Sequence, residues 1–300
     1  MKVFLTGATG YIGGSVAQRL LSEGCEIRAL VRDETKAAAL VQRGITPVIG
    51  TLDDAPLLTA EAQGAGAVVN AASSDHAAAI DALLAGLRGS GKALLHTSGS
   101  SVIGDDAGGD RESPQVFDED TPFIVPPGKQ ARAALDQRIR DAAQQGVRSV
   151  VLCNSMIYGL GTGMQPHSVQ VPRLVDEARR RGVVHVVGSG LNRWSNVHID
   201  DVVALYLLAL RGAPAGAFYF VENGEASYLE IGQAIARCLG LGPVQPWSLA
   251  QASEIFGEAA ARFTFGSNSR VRARRARREL RWAPMHASLT DWIERDMPVR

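Results

Sequence analysis

Three glycines near the start of the chain, Gly7, Gly10 and Gly13, stand at the spacing G-x-x-G-x-x-G within Thr6-Gly7-Ala8-Thr9-Gly10-Tyr11-Ile12-Gly13. The chemistry this spacing suits is the seating of a pyrophosphate on backbone amides at a helix N-terminus. Gly7 permits a sharp turn, Gly10 lets the backbone approach phosphate, and Gly13 lets a helix pack closely on a strand. A second chemical signal is the pair Arg32-Asp33, where a dinucleotide site meets the ribose. An arginine there suits a 2′-phosphate, whereas an acid accepts from a 2′-hydroxyl. Arg32 directly follows the apolar run, which favours NADP; if Asp33 reached the ribose instead, NAD would be preferred. The bland readings are a tight turn without a ligand and a solvated charge at a strand end.

These residues need a strand before them and a helix after them, and the flanking pattern provides both. Val3–Leu5 reads as a buried strand, and Gly14–Glu23 as an amphipathic helix with Val16, Leu20 and Leu21 on one face. Strands at Glu26–Arg32, Thr46–Ile49, Gly66–Ala72 and Ala93–Ser98 alternate with helices at Glu34–Arg43 and His76–Arg88. Such alternation predicts an α/β fold with a doubly wound parallel sheet and right-handed crossovers. From Gly99 to Pro127 the rhythm stops in a long loop, functional or mobile. It resumes with a helix at Lys129–Gln145 and a strand at Ser149–Cys153, whose carboxyl end leads into Asn154–Gly159. Beyond lie helices at Val169–Arg181, Val202–Leu210, Tyr228–Leu239 and Leu249–Phe256. The expected division is a dinucleotide-binding Rossmann domain over 1–165, with strand returns near 183–205 and 217–222. Residues 166–300 would then form most of a smaller C-terminal α/β substrate lobe.

Composition narrows the class. The 300 residues carry 31 basic and 31 acidic side chains, so no global field draws the chain to nucleic acid or to a membrane. Strand one begins at Lys2, leaving no room for a signal peptide, and no apolar run approaches a membrane span. The three cysteines, Cys25, Cys153 and Cys238, are far apart in apolar surroundings and read as reduced thiols. A cytoplasmic location follows as the expectation. His96, His167 and His198 lack metal-ligand spacing, so no metal is expected. The run from Arg270 to Arg278 would touch phosphate backbones in isolation. It lacks interleaved aromatics and sits in a helical pattern, so a solvated helix face is the favoured reading. No nucleic-acid or membrane partner is expected, only a small-molecule substrate.

Taken together the motifs resemble the extended short-chain dehydrogenase/reductase superfamily, of the NAD-dependent epimerase/dehydratase type, over nearly the whole chain. The resemblance rests on the glycine motif, on Asn70-Ala71-Ala72, and on Thr97-Ser98-Gly99-Ser100-Ser101-Val102-Ile103-Gly104. It continues in Ile157-Tyr158-Gly159, in Trp194–Val202 and in the closing Leu280-Arg281-Trp282-Ala283-Pro284. It implies cofactor contacts from Gly7, Thr9, Gly10, Tyr11, Ile12, Gly13, Arg32, Leu52, Ala71, Ala72 and Thr97. It also implies a homodimer face on a helix such as Ala131–Ala143.

The chain departs from the family at its chemistry. The family uses a Tyr-x-x-x-Lys pair, in which the lysine tunes the tyrosine as general acid/base. Aligning on Asp136 puts Gly128 at the tyrosine and Arg132 at the lysine; aligning on the Pro-x-Gly-Lys run puts Pro127 and Ala131 there. The assisting serine falls on Gly99. Three replacements stay open: Tyr158 as a phenol or a packing residue, Ser98 as a carbonyl partner or a self-satisfied hydroxyl, and Lys129 as acid, ribose holder or exposed charge. Arg132 stays protonated and is a poor proton donor, and Asp201 reads as a helix-start residue. The expected function is an atypical NADP(H)-dependent oxidoreductase transferring a hydride to or from a small carbonyl or alcohol, with NAD as the alternative cofactor. The alternatives are a nucleotide-sugar epimerase or dehydratase and, in another class, an NADP(H)-binding redox sensor without turnover.

Overall fold

A computed structural model describes residues 1–298. The first half alternates strictly: β1 (Lys2–Thr6), α1 (Tyr11–Ser22), β2 (Glu26–Val31), α2 (Glu34–Val41), β3 (Thr46–Ile49), α3 (Ala55–Gly64), β4 (Ala67–Asn70), α4 (Ala77–Leu87) and β5 (Ala93–Gly99). After a short β6 (Phe117–Asp118) come α5 (Gln130–Asp141), β7 (Arg148–Asn154), β8 (Met156–Tyr158), α6 (Gln170–Arg181), β9 (His185–Val187) and β10 (Arg193–His198). The rest is α7 (Ile199–Gly212), β11 (Ala217–Val221), β12 (Glu225–Ser227), α8 (Tyr228–Leu239), β13 (Gln245–Trp247), α9 (Leu249–Phe256) and α10 (Glu258–Ala260). It closes with β14 (Val271–Arg272), α11 (Arg274–Leu280) and α12 (Leu289–Arg295).

Seven strands form one parallel sheet in the order β11-β7-β5-β4-β1-β2-β3. Its strands are apolar on both faces because helices cover both, and successive side chains alternate between them. Val3 and Leu5 of β1, with Leu95 of β5 and Leu152 of β7, join the core under α1 and α7. Phe4, Leu94 and Val151, one residue out of step, join the opposite core under α3, α4 and α5. The strand order reverses between β1 and β4, which opens a crevice at their carboxyl ends.

At Ser155 the chain leaves the sheet, and β8 pairs with β10 instead, with β12 on the far side. So of the two sequence stretches expected to return to the sheet, 217–222 does so as β11, whereas β10 belongs to the smaller sheet. This second layer packs with α6, α8 and α12 around Tyr158, Trp194, Trp247 and Phe265.

Two tethers join the lobe to the sheet region. The stretch from Gly99 to Pro127 is pinned down: buried Asn268 donates to Asp105 Oδ2 (3.0 Å) and the Arg111 carbonyl (3.1 Å). Its own Oδ1 accepts from Ser113 N (3.1 Å) and Arg193 N (2.8 Å). The basic run is the second tether: Arg270 and Arg275 are largely buried in ion pairs, which corrects the solvated-face reading there, while Arg274 and Arg278 stay exposed. Arg270 pairs with Glu225 (2.7 Å) and Glu112 (2.9 Å), Arg272 with Glu225 (3.3 Å), and Arg277 with Glu222 (3.0 Å). Arg274 pairs with Asp118 (2.8 Å), Arg275 with Asp120 and Arg278 with Glu279. Apart from Glu279 the acids come from distant segments, which no helical pattern within the run reveals. The cysteines are free, and among the described residues no helix is long and apolar enough to cross a membrane.

Burial alone would raise the Glu225 carboxyl, but the Arg270 hydrogen bond and the charges of Arg270, Arg272 and Arg193 outweigh it and hold the group below its usual value. A depressed carboxyl contributes stability above its unfolded pKa and loses it as pH falls through the folded one. Melting temperature is therefore expected to drop below about pH 4. At neutral pH, Glu225→Gln is expected to cost about 1–3 kcal/mol and to flatten that acid limb, measured by thermal melts across pH.

Candidate functional site

The glycine turn occupies the crevice between β1 and β4. Gly7 has φ +85°, and a Cβ there would fall 2.6 Å from the Ala71 carbonyl carbon, so both conformation and space require glycine. A Cβ at Gly13 would lie 2.3 Å from the Gly7 oxygen, so α1 can approach β1 only without a side chain. The Gly10 amide donates to the Gly7 carbonyl (2.9 Å), closing the turn. Gly10 is the N-cap of α1 and offers no side chain to the first-turn amides, which leaves them available to an anion.

A cavity of about 470 Å³ extends from this turn over the ends of β1 and β2, lined by Gly7, Thr9, Gly10, Arg32, Leu52 and Ala72 among others. At its far end the two candidate ribose residues differ in their commitments. Asp33 caps α2, accepting from Lys36 N at 2.8 Å, and its other oxygen lies 3.6 Å from Lys36 Nζ. Arg32 is exposed and, among the described residues, has no ion-pair partner. Lys36 lines the same cavity.

Ala71 and Ala72 also line a second cavity of about 420 Å³, which continues the groove past Ile12 to Thr97, Ser98, Gly99 and Arg132. Arg132 is clamped here: Nε donates to Asp75 Oδ1 (2.8 Å) and NH2 to Oδ2 (2.5 Å). NH1 reaches Ser101 Oγ (3.3 Å) and lies 3.4 Å from where a Cβ on Gly99 would be. The Arg132 hydrogen bond holds the Asp75 carboxyl below its usual value. Burial first, then the Arg132 charge, lowers the ammonium of half-buried Lys129.

Behind the groove runs a buried polar chain. Ser98 Oγ donates to Asp136 Oδ2 at 2.6 Å, and Asp136 Oδ1 lies 3.6 Å from His96 Nε2. Asn70 Nδ2 sits 3.0 Å from His96 Nδ1 and 2.9 Å from the Ser73 carbonyl it donates to, while Asn70 Oδ1 accepts from Thr6 Oγ1. With the amide as donor, Nδ1 is the acceptor and the imidazole proton is on Nε2. Burial, reinforced by the Arg132 charge, pushes His96 down to about 4, so the ring is neutral. Burial also raises Asp136 to about 6 against the pull of Ser98 and Arg132. On the other face of β5, Thr97 Oγ1 shares a hydrogen bond of 2.7 Å with Tyr206 Oη.

The structure thus brings Gly7, Thr9, Gly10, Arg32, Leu52, Ala71, Ala72, Ile12, Thr97 and Ser98 along one groove. Gly13 supports it from behind. Tyr11 reaches elsewhere, donating to the Tyr158 and Gly159 carbonyls at 2.9 Å each. Tyr158 departs from the catalytic expectation. Its hydroxyl donates to the His286 carbonyl (3.0 Å), and its ring packs against His198 and Trp292 in the lobe core, where burial raises its pKa. It is a packing residue because β8 turns away from the main sheet. Asp201 likewise holds structure, accepting from Met285 N (2.8 Å) and His286 N (2.9 Å).

Sequence reading missed His96 and Asp136 as a pair and Asp75 as the partner of Arg132. A signal existed: His96 and Ser98 share one strand face by their spacing, and Asp136 sits on the buried stripe of α5 with Leu135 and Ile139. It also missed a group of metal-type donors, His198, Asp200 and His286, whose atoms lie within 4.8 Å of one another. There His198 Nδ1 already accepts from Asp200 N, and the two imidazoles stack at 4.0 Å.

A model of the NAD dependent epimerase/dehydratase family matches residues 3–218. An oxidase from Acremonium sp is 34% identical over 335 residues, covering 98% of this chain and 95% of its own. A 4-hydroxy-2-methyl-3-oxo-4-farnesyl-3,4-dihydroquinoline-1-oxide ketoreductase from Stigmatella aurantiaca is 29% identical, covering 75% of this chain and 69% of its own. Among solved structures, an NAD complex of dTDP-glucose 4,6-dehydratase from Bacillus anthracis superposes with a TM-score of 0.77 at 19% identity, covering 98% of this chain and 96% of the other. That likeness speaks for the fold.

Asn223 Nδ2 also donates to the His286 carbonyl (3.0 Å), so removal of the Tyr158 hydroxyl leaves that oxygen satisfied. Tyr158→Phe is expected to lower stability by only about 0.5–1.5 kcal/mol and to leave nicotinamide-nucleotide affinity unchanged, measured by thermal melt and fluorescence titration. Loss of hydride transfer with both readouts intact would return the phenol to the chemistry.

Proposed function

The chain belongs to the NAD dependent epimerase/dehydratase family, and from that premise we propose an NADP(H)-dependent oxidoreductase acting on a small carbonyl or alcohol substrate. The observation that carries this reading is the continuous groove, with a glycine cradle and open helix amides in its middle, Arg32 and Lys36 at one end and Ser98, Thr97 and Arg132 at the other. The cradle fits a dinucleotide, since Gly7 and Gly13 leave no Cβ where the backbone must come close. Gly7, Thr9, Gly10 and Ile12 would hold its phosphates, Leu52 the adenine side, and Ala71, Ala72 and Thr97 the inner half. When bound, the nicotinamide supplies or accepts the hydride.

Preference for NADP is supported by the ribose end. Asp33 Oδ1 caps α2 and its other oxygen faces Lys36, while Arg32 and Lys36 present two cations to the same cavity, which suits a 2′-phosphate. At the inner end Arg132 stays charged and is oriented by Asp75. It stabilises negative charge developing on a substrate oxygen but does not deliver a proton. Proton-bearing groups there are Ser98 in the lining and Lys129 beside Arg132. The residues lining this inner cavity include no phenol, which disfavours the epimerase or dehydratase alternative. An oxidase and a ketoreductase among the relatives are in keeping with hydride transfer.

Fluorescence titration with NADPH and NADH, on the wild type and on Arg32→Ala, tests the reading. Tighter NADPH binding is expected, weakened roughly 10–100-fold by the substitution, with NADH unaffected. Equal wild-type affinities would remove the NADP assignment. Binding of neither would remove the oxidoreductase.

A further inference from the structure

We propose that Asp136 is the proton source for carbonyl reduction, acting through the Ser98 hydroxyl that lines the groove. The proposal rests on the oxidoreductase reading above and adds a route that no phenol provides. Asp136 itself is only 4% exposed, on the far side of Ser98 from the groove. It is therefore a positioning and proton-holding residue, and Ser98 is the group that meets substrate.

The geometry makes the two hydroxyl orientations interconvertible. With Asp136 ionised, Ser98 donates to Oδ2 across the 2.6 Å contact, and its hydrogen faces away from the groove. With Asp136 protonated on Oδ2, the acid donates to Ser98 Oγ, and the serine hydrogen is released toward the groove. The other half of the carboxyl matches this role. Asp136 Oδ1 and His96 Nε2 are both buried without a hydrogen-bond partner, 3.6 Å apart. A carboxylate whose second oxygen is so poorly served gains by holding a proton, and the neutral imidazole behind it presents N–H to the anion left after transfer.

The step balances. As the carbonyl carbon accepts hydride, the π electron pair moves to oxygen. The Ser98 O–H bond breaks toward that oxygen, and the Asp136 O–H bond breaks toward Ser98 Oγ. The product is an alcohol, Ser98 is regenerated, and Asp136 is left as a carboxylate to be reprotonated from solvent after release. Charged and titratable groups surround Asp136. Arg132 and Arg140 of α5 favour the ionised acid, Asp75 opposes it, His96 on β5 is neutral, and the Cys153 thiol on β7 is pushed well up by burial.

The test uses the NADP-bound protein and 9,10-phenanthrenequinone as the probe carbonyl with NADPH. Infrared spectra across pH are expected to show a protonated-carboxyl band that vanishes with a midpoint near pH 6, absent from Asp136→Asn and shifted upward in Ser98→Ala. Single-turnover reduction should slow above that midpoint in the wild type. It should fall roughly 100-fold, with the pH slope lost, in Asp136→Asn, and Ser98→Thr should recover what Ser98→Ala loses. A band titrating with the ordinary carboxylates, or an unchanged slope in Asp136→Asn, overturns the proposal. If the wild type binds NADPH but transfers no hydride, the oxidoreductase reading has failed instead, and the infrared midpoint still decides whether Asp136 holds its proton.

Discussion

The contact on which the rest depends is backbone against backbone at the crevice, where Gly7 lies against the Ala71 peptide and Gly13 against Gly7. Each is closer than a Cβ permits. Because of them the turn after β1, the end of β4 and the start of α1 converge within one short span. The parallel order around β1 and β4 then places the carboxyl ends of β2 and β5 on either side of the crevice. An elongated groove follows from that convergence, with helix amides in its middle and side chains from four strands at its ends.

At the inner end of the groove stands the charge of Arg132, from α5. Gly99 provides the space and Asp75 the restraint, so a guanidinium can sit against the strand end, fixed on two of its three nitrogens. A cation so close also sets the state of its neighbours. It adds to the burial that lowers Lys129 and keeps His96 neutral, and it pulls against the burial that raises Asp136. Asp136, one layer behind the groove, is the group whose protonation burial governs.

The lobe is held by polar contacts between remote segments. Asn268 ties the stretch after β5, five arginines of the 270–278 run each meet an acid from a remote segment, and Asp201 grips the turn at Met285-His286. The Tyr158 hydroxyl on the same turn belongs to this fastening. So residues with the chemical types of a catalytic or nucleic-acid site serve here to close one lobe upon the other.

Local pattern was enough for the sheet and for the glycine turn in the groove. Strand alternation, helix stripes and the glycine spacing are short-range properties, and they specify which backbone segments can approach and where an anion can be seated. Arg32 was legible for the same reason, being the residue at the end of an apolar strand. What only the tertiary structure decided were the partnerships: Asp33 with its own helix cap, Arg132 with Asp75, Ser98 and His96 with Asp136, and Tyr158 with a carbonyl 128 residues away. Whether a polar side chain is a reagent, a fastener or a solvated charge depends on what burial takes away and which partner replaces it, and both come from segments far apart along the chain.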